Sequence, residues 1–255
     1  MPRVVAAMIV VLGIAAAGGG RARAQAPPPA WEFYVTPYAW FAGLNGSLRT
    51  PLDRFPGRDF NADFGTLLAD ISGVPIMGMA EVRYGRFGVV GDLLYLSLDQ
   101  NLDTRDVAFR GGHSLVNTAI GNVLGLYRAL DLPNQSLDIG AGVRIWSATA
   151  KVSLNPGLLP GAIQKSTTTW ADPLIAARYH LALSDRFGLT AYGDVGGFSA
   201  GSVLTWQAIG AIDYRASEAI VLSLGWRYLS FDRKRGDLRL DLGFTGPFIA
   251  ATFRF

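Results

Sequence analysis

From residue 31 onward the apolar positions recur every second residue rather than at helical spacing. In Ile220–Tyr228 one parity holds Ile220, Leu222, Leu224, Trp226 and Tyr228, and the other holds Val221, Ser223, Gly225 and Arg227. Successive strand residues point to opposite faces, so such a segment has one apolar face and one polar or small face. Ile76, Gly78, Ala80, Val82 and Tyr84 oppose Met77, Met79, Glu81 and Arg83 in the same way. Leu137 to Ile145 and Leu204 to Tyr214 repeat the pattern, as does the last segment, Pro247 to Phe255. Ten such segments fall near 31–42, 74–85, 88–98, 114–127, 136–152, 168–182, 187–197, 203–215, 219–231 and 240–255.

Several of these are about the 9–11 residues that a tilted strand needs to cross a bilayer. The connections alternate in length: Gly85–Gly88, Ala129–Gln135, Ser184–Arg186 and Ala216–Glu218 are short, whereas 43–73, 99–113 and 153–167 are long. The connections at 198–202 and 232–239 are shorter. Short inner turns, longer outer loops and aromatic strand ends are the signature of an outer-membrane barrel. The pattern therefore predicts an all-β, up-and-down antiparallel transmembrane barrel of about ten strands, with eight to twelve as its range. A soluble sandwich is the competing architecture, because alternation alone does not distinguish lipid from a protein core. The leader described next, the aromatic strand ends and a positive mean hydropathy favour the membrane.

The N-terminus carries Arg3, an apolar run from Val4 to Ala17 and an A-x-A site at Ala22-Arg23-Ala24. These are the parts of a cleaved secretory signal peptide over 1–24, too short and wrongly flanked for a membrane-spanning helix. Residues 25–30, QAPPPA, form a proline-rich spacer, and 31–255 form the barrel domain. The leader holds three of the 23 Lys and Arg and no acid, so 20 bases face 20 acids after cleavage. That balance gives no case for nucleic acid as a partner. With no cysteine, the fold depends on its backbone network and packing.

On the polar parity, acids and arginines are nearly balanced. In a small barrel they would fill the interior as paired charges rather than line an open pore. Glu81, Arg83, Arg144, Asp172, Arg178, Asp194 and Arg227 are the expected lumen network. The first long connection, 43–73, exceeds ordinary loop length. Within it, Asp63 to Ile71 reads as a short helix capped at Asp63, with Leu67, Leu68 and Ile71 on one side, either a plug at the outer mouth or an ordinary folded loop.

Candidate chemistry is sparse. Gly197-Phe-Ser-Ala-Gly201 has the G-x-S-x-G spacing of a nucleophile elbow, which requires a strand before it and a helix after it. Here it lies between two strands, where Gly196, Gly197 and Gly201 suit a tight hairpin, so Ser199 reads as a turn residue. The two histidines are His113, next to Ser114 beside the outer 99–113 connection, and His180, on the polar parity near an inner strand end. Adjacent strand residues face opposite ways, so His113 and Ser114 form no dyad. Ser199 or Asp106 would meet His113 only through tertiary folding. Without cysteine or paired histidines there is no zinc-type spacing, and Asp99, Asp103 and Asp106 read as a solvated loop. No catalytic, metal or cofactor residue is assigned, and the expected function is that of a non-enzymatic membrane protein, structural or a narrow small-solute channel. The alternatives are a surface hydrolase centred on His113, and an adhesion or partner-binding barrel acting through its outer loops.

Several stretches resemble a family of uncharacterised proteobacterial outer-membrane β-barrel proteins: Thr36-Pro-Tyr-Ala-Trp40, Gly85 to Leu98, Trp170-Ala-Asp-Pro173, Gly193 to Phe198, Leu204-Thr-Trp-Gln207, Gly225-Trp-Arg-Tyr228 and the ending Gly246 to Phe255. The similarity runs over roughly 31–255. It implies an outer-membrane location, with lipid and lipopolysaccharide around the barrel, and no established activity or site. The ending is similar to the signal read by the barrel-assembly machinery, with Phe253 and Phe255 on its apolar parity, which implies that machinery as a partner.

Overall fold

The computed structural model describes residues 30–49, 58–102, 109–236 and 238–255. The expected leader and nearly all of the spacer lie outside the described residues, as do Asp103 and Asp106. In chain order the elements are β1 (Trp31–Trp40), β2 (Gly43–Arg49), β3 (Arg58–Ala62), α1 (Phe64–Asp70), β4 (Ile76–Tyr84), β5 (Phe87–Leu102), β6 (Phe109–Leu132), β7 (Gln135–Pro156), β8 (Ala162–Ala182), β9 (Phe187–Gly196), β10 (Leu204–Arg215), β11 (Ile220–Arg235) and β12 (Leu238–Arg254). β1 and β4 to β12 pair in sequence, each antiparallel to its neighbour, and β12 closes back on β1. The result is a closed ten-stranded barrel, one strand for each alternating segment.

Closure removes the edges of the ten barrel strands, so each finds backbone partners without water. The apolar parity faces outward: Leu93, Val123, Ile145, Leu224, Trp226 and Ile249 are all exposed, at positions spread around the wall. A band of this extent marks a membrane surface. Near the short turns, ring pairs stand on the outer wall, including Trp31 with Tyr84 at 4.9 Å, Phe87 with Tyr127 at 5.4 Å and Phe187 with Tyr214 at 5.3 Å. Further up, Trp206 stacks on Tyr228 at 4.5 Å. Tyr214 and Trp206 stand eight positions apart on β10. That is roughly 26 Å along a strand and about 20 Å across a membrane at a usual tilt, close to the apolar band of about 25 Å between aromatic girdles.

The long connections are shorter than the sequence reading expected. β5 runs to Leu102 and β6 starts at Phe109; β7 and β8 leave only 157–161 between them. Most of 99–113 and 153–167 is therefore strand, standing beyond the membrane as a continuation of the wall. On the β7–β8 pair the outward positions turn polar as that extension begins: Ser147, Thr149, Thr167 and Thr169 replace apolar residues and bond across the pair, Thr149 to Thr167 at 3.0 Å. Likewise β11 and β12 are strand almost to their joining turn, leaving little of 232–239 as loop.

The 43–73 connection is also more structured than a loop. β1 pairs with β12 over Phe248–Arg254, and β2 continues along β12 from Thr245 to Arg239 after a break at Phe41 and Ala42. β3 then folds back on β2. The expected helix is present as α1, and Asp63 caps it by accepting from the Thr66 amide at 2.8 Å. That bond holds the Asp63 carboxyl below its usual range. No α1 residue is buried, and Leu68 is exposed, so α1 rests on the rim rather than filling the mouth. Phe64 meets Phe41 edge-on at 5.1 Å, and Ile71 bridges to Leu98.

Tight curvature places one strict demand on sequence. Gly142 faces inward on β7, where an added Cβ would run into the Val123 carbonyl and lie 2.8 Å from Leu124 Cα. Gly142→Ala is expected to lower stability by about 1–3 kcal/mol, the usual effect of forcing extra volume into a packed site. Urea titration of tryptophan emission in phospholipid vesicles measures it. A variant as stable as the parent would mean that the wall relaxes there.

Candidate functional site

The interior of the barrel is stacked in layers, because each strand contributes every second residue and the strands are staggered. At mid-height six side chains form a closed hydrogen-bonded ring. Asn122 donates to Asp92 at 3.0 Å and accepts from Arg144 Nε at 2.7 Å. Arg144 Nη2 donates to Asp194 Oδ2 at 2.7 Å, and Gln207 Nε2 approaches the same oxygen at 3.4 Å. Gln207 Oε1 accepts from Arg227 Nε at 2.9 Å, and Arg227 Nη2 returns to Asp92 at 3.0 Å. Two arginines and two aspartates thus alternate with two amides that each serve one cation and one anion.

The ring spans the lumen. Arg227 on β11 reaches Asp92 on β5, four strands round the wall by the shorter way. Tyr38 on β1 ties in by donating to Asp92 at 2.7 Å and accepting from Arg227 Nη1 at 3.0 Å. Arg144 is fully buried, with Thr205 as a third partner at 3.0 Å. Isolated charges this deep would be prohibitive; paired and hydrogen-bonded, they are tolerated and rigid.

One inward position further toward the long-strand end, five of these strands change to apolar, whereas β9 continues with Gly196 and β10 with Thr205. Trp40 follows Tyr38, Leu94 follows Asp92, Trp146 follows Arg144, Leu229 follows Arg227, and on descending β6 Ile120 precedes Asn122. All are buried, and with Phe231 they form one apolar layer. Trp146 stacks on Trp170 at 5.5 Å and meets Phe231 at 4.6 Å. Arg227 lies against the Trp40 ring, 4.8 Å from its centre, so the charged and aromatic layers grip one another.

Toward the short turns lies a second charge cluster. Arg178 binds both oxygens of Glu81, at 2.7 and 2.8 Å, and Asp138 Oδ2 at 2.8 Å. Arg83 Nε donates to Glu81 at 2.6 Å, and its Nη2 lies 2.8 Å from Asp138 with its N–H aimed off the oxygen. Arg128 donates to Asp138 at 3.0 Å. Between this cluster and the ring lies a cavity of about 740 Å³, with Met79, Val90, Leu124 and Leu126 on its apolar wall and Arg128, Arg215 and Arg254 near the short-turn end.

The expected network therefore divides. Arg144, Asp194 and Arg227 belong to the ring, and Glu81, Arg83 and Arg178 to the lower cluster. Asp172 belongs to neither. Its backbone lies opposite Arg144, yet its carboxylate turns the other way, accepting from the Ser202 amide at 2.6 Å, the Ser202 hydroxyl at 2.8 Å and Trp146 Nε1 at 2.8 Å. It anchors the 197–203 turn to the wall. Sequence reasoning left Tyr38, Asp92, Asn122, Arg128, Asp138 and Gln207 out of the network. Parity within each strand was the available signal: Asp138 shares it with Arg144 on β7, and Gln207 with Asp213 on β10.

Ser199 lies in that anchored turn, between β9 and β10, with φ of 64°. No helix follows, so the elbow reading is excluded by context. Of the three glycines expected to supply positive φ, Gly197 does so. Gly196 and Gly201 are needed for space instead, since a Cβ on Gly201 would lie 2.5 Å from the Ala171 carbonyl. Phe198 itself takes positive φ. His113 sits within β6 rather than in a loop, exposed, with no side-chain partner among the described residues. His180 faces the lumen near the short turns, its Nδ1 3.2 Å from Thr190 Oγ1 and 3.5 Å from Asp213. Phe253 and Phe255 lie at the short-turn end, where Phe255 N donates to the Phe33 carbonyl at 2.9 Å.

No family model matches the chain, and no curated protein sequence matches it. Solved structures do. The outer membrane protease OmpT from Escherichia coli is 9% identical, with 89% of this chain and 97% of that chain covered and a TM-score of 0.55. The translocator domain of autotransporter NalP from Neisseria meningitidis is 13% identical, covering 88% of each chain with a TM-score of 0.42. The attachment invasion locus protein Ail of Yersinia pestis is 12% identical, covering 90% of this chain and 100% of that chain with a TM-score of 0.38. At these identities the likeness to OmpT is one of fold, and that fold is an outer-membrane barrel's.

Proposed function

We propose that this is a non-enzymatic outer-membrane barrel whose lumen is held shut, a structural or binding protein rather than a through-channel. The observation that carries the reading is the ring from Asp92 to Arg227, backed by the buried layer of Trp40, Trp146 and Phe231. Ten strands enclose an interior that side chains fill, and here two stacked layers fill it. In this reading the short turns face the periplasm, the extended hairpins face outward, and the chain belongs with the uncharacterised barrels that its motifs resemble. Phe253 and Phe255 then serve insertion by the assembly machinery.

Single-channel recording of the refolded barrel in a planar bilayer tests the reading. Silence from a correctly folded barrel is expected. Discrete, reproducible steps would overturn the reading and restore the small-solute channel.

A second reading, binding of a partner outside the cell, is favoured by the β7–β8 hairpin. Its tip exposes Leu158, Leu159 and Ile163 far from the lipid-facing band.

A further inference from the structure

We infer that the lumenal cavity is a binding site for a small water-borne amphiphile with an apolar chain and one anionic head, such as a medium-chain carboxylate. The volume of about 740 Å³ is that of a site for a single drug-sized molecule. Its wall combines two chemistries that such a molecule needs. Val90, Leu124 and Leu126 form a buried apolar surface on β5 and β6. Beside it, three guanidiniums share two buried carboxylates: Arg83, Arg128 and Arg178 against Glu81 and Asp138.

That cluster carries one cation in excess. Asp131 is the nearest further acid, 3.8 Å from Arg128 Nη1, but it is half exposed and stands outside the cavity, where water screens it. Arg83 supplies the independent observation. It is 3% exposed, lines the cavity, and its Nη1 has no hydrogen-bond partner among the described residues. A buried guanidinium N–H without an acceptor is uncommon, because the desolvation it suffers goes uncompensated. An anionic oxygen beside Arg83 and Arg128 neutralises the excess charge, and it meets that donor once the guanidinium turns toward the cavity, since Nη1 itself presents no surface there. The attached chain then covers Leu124 and Leu126. Other charges at the short-turn end are matched nearby: Arg254 pairs with Glu32 at 2.6 Å, and Asp213 accepts from Thr190 and Ser223 and faces His180. Arg215 and Glu218 both line the short-turn end of the cavity, one cation and one anion.

Entry is from water at the short-turn end, since the ring and aromatic layer close the other side. The site does not depend on the lumen being shut. A barrel that conducts and still binds keeps the site and loses the reading above.

The test is calorimetric titration of sodium octanoate into the barrel held in phosphatidylcholine nanodiscs, with empty nanodiscs as reference. Saturable one-to-one binding is expected, at least tenfold tighter than that of octan-1-ol, which lacks the charge, and of acetate, which lacks the chain. Leu124→Trp, which fills the cavity, is expected to weaken octanoate binding at least tenfold while the barrel keeps the gel migration of its folded form. Equal affinity for octanol and octanoate would overturn the assignment of the head group. Unchanged octanoate binding in a folded Leu124→Trp variant, or no saturable binding to the parent barrel, would overturn the site. The ligand comparison on the parent barrel stands even where the variant does not fold.

Discussion

Replacing Arg144 with methionine will destabilise the barrel by about 3–5 kcal/mol, the range for breaking a buried ion pair by removing one partner. Arg144 is fully buried and Asp194 nearly so, and their contact is 2.7 Å. Without the guanidinium, Asp194 retains only Tyr192 and Gln207, both on one oxygen, while its other oxygen already lacks a partner among the described residues. Asn122 and Thr205 also lose their arginine partner. The double change Arg144→Met with Asp194→Leu should recover most of the loss, because apolar replacement of an entire buried pair is often neutral or better. Urea unfolding of the three variants in vesicles measures both. A single variant within about 0.5 kcal/mol of the parent, the scatter of ordinary surface changes, would mean that Arg144 does not hold the Asp194 charge.

Trp146→Ala is the second large effect, expected at about 3–5 kcal/mol as for other large-to-small core changes. Trp146 is 2% exposed and packed between Trp170 and Phe231. Its removal opens a void in the apolar layer, whereas Asp172 keeps both of its bonds to Ser202. The variant should still be silent in a planar bilayer, because the hydrogen-bonded ring beneath persists. Combining Trp146→Ala with Arg144→Ala removes both barriers on the same strand, and that double variant is expected to conduct. Conductance from Trp146→Ala alone would assign the seal to the aromatic layer, and silence of the double variant would mean that the remaining ring residues suffice.

The two expectations rest on features of unequal legibility. That Arg144 and Trp146 face inward could be read from β7, where they share the parity of Asp138 and oppose Ile139, Val143 and Ile145. That Arg144 pairs with Asp194 could not. Asp172 is its direct neighbour across the β7–β8 register, and neighbouring opposite charges on one face ordinarily pair. The amide of Ser202, delivered by the 197–203 turn, draws Asp172 away and leaves Arg144 to reach Asp194 on β9. Alternation also failed to mark the outer strand ends. Beyond the bilayer no lipid demands an apolar face, so Ser153 and Thr167 read as loop although they pair across β7 and β8 as regularly as the membrane-spanning part. β2 and β3 went unread for a similar reason, since Gly43–Arg49 is a short, polar continuation of the β1 edge along β12.

What the sequence determined by itself is the set of barrel strands, their number and which side chains face lipid. A strand residue has two orientations, and the lipid makes that choice visible residue by residue. What the tertiary structure alone decided is which charges meet, that the lumen side chains are layered, and that a cavity with an unmatched guanidinium remains below. Those facts depend on the diameter and stagger of the closed wall, which bring Arg227 to Asp92 and Arg178 to Glu81 across four strands, a distance on which no local pattern reports.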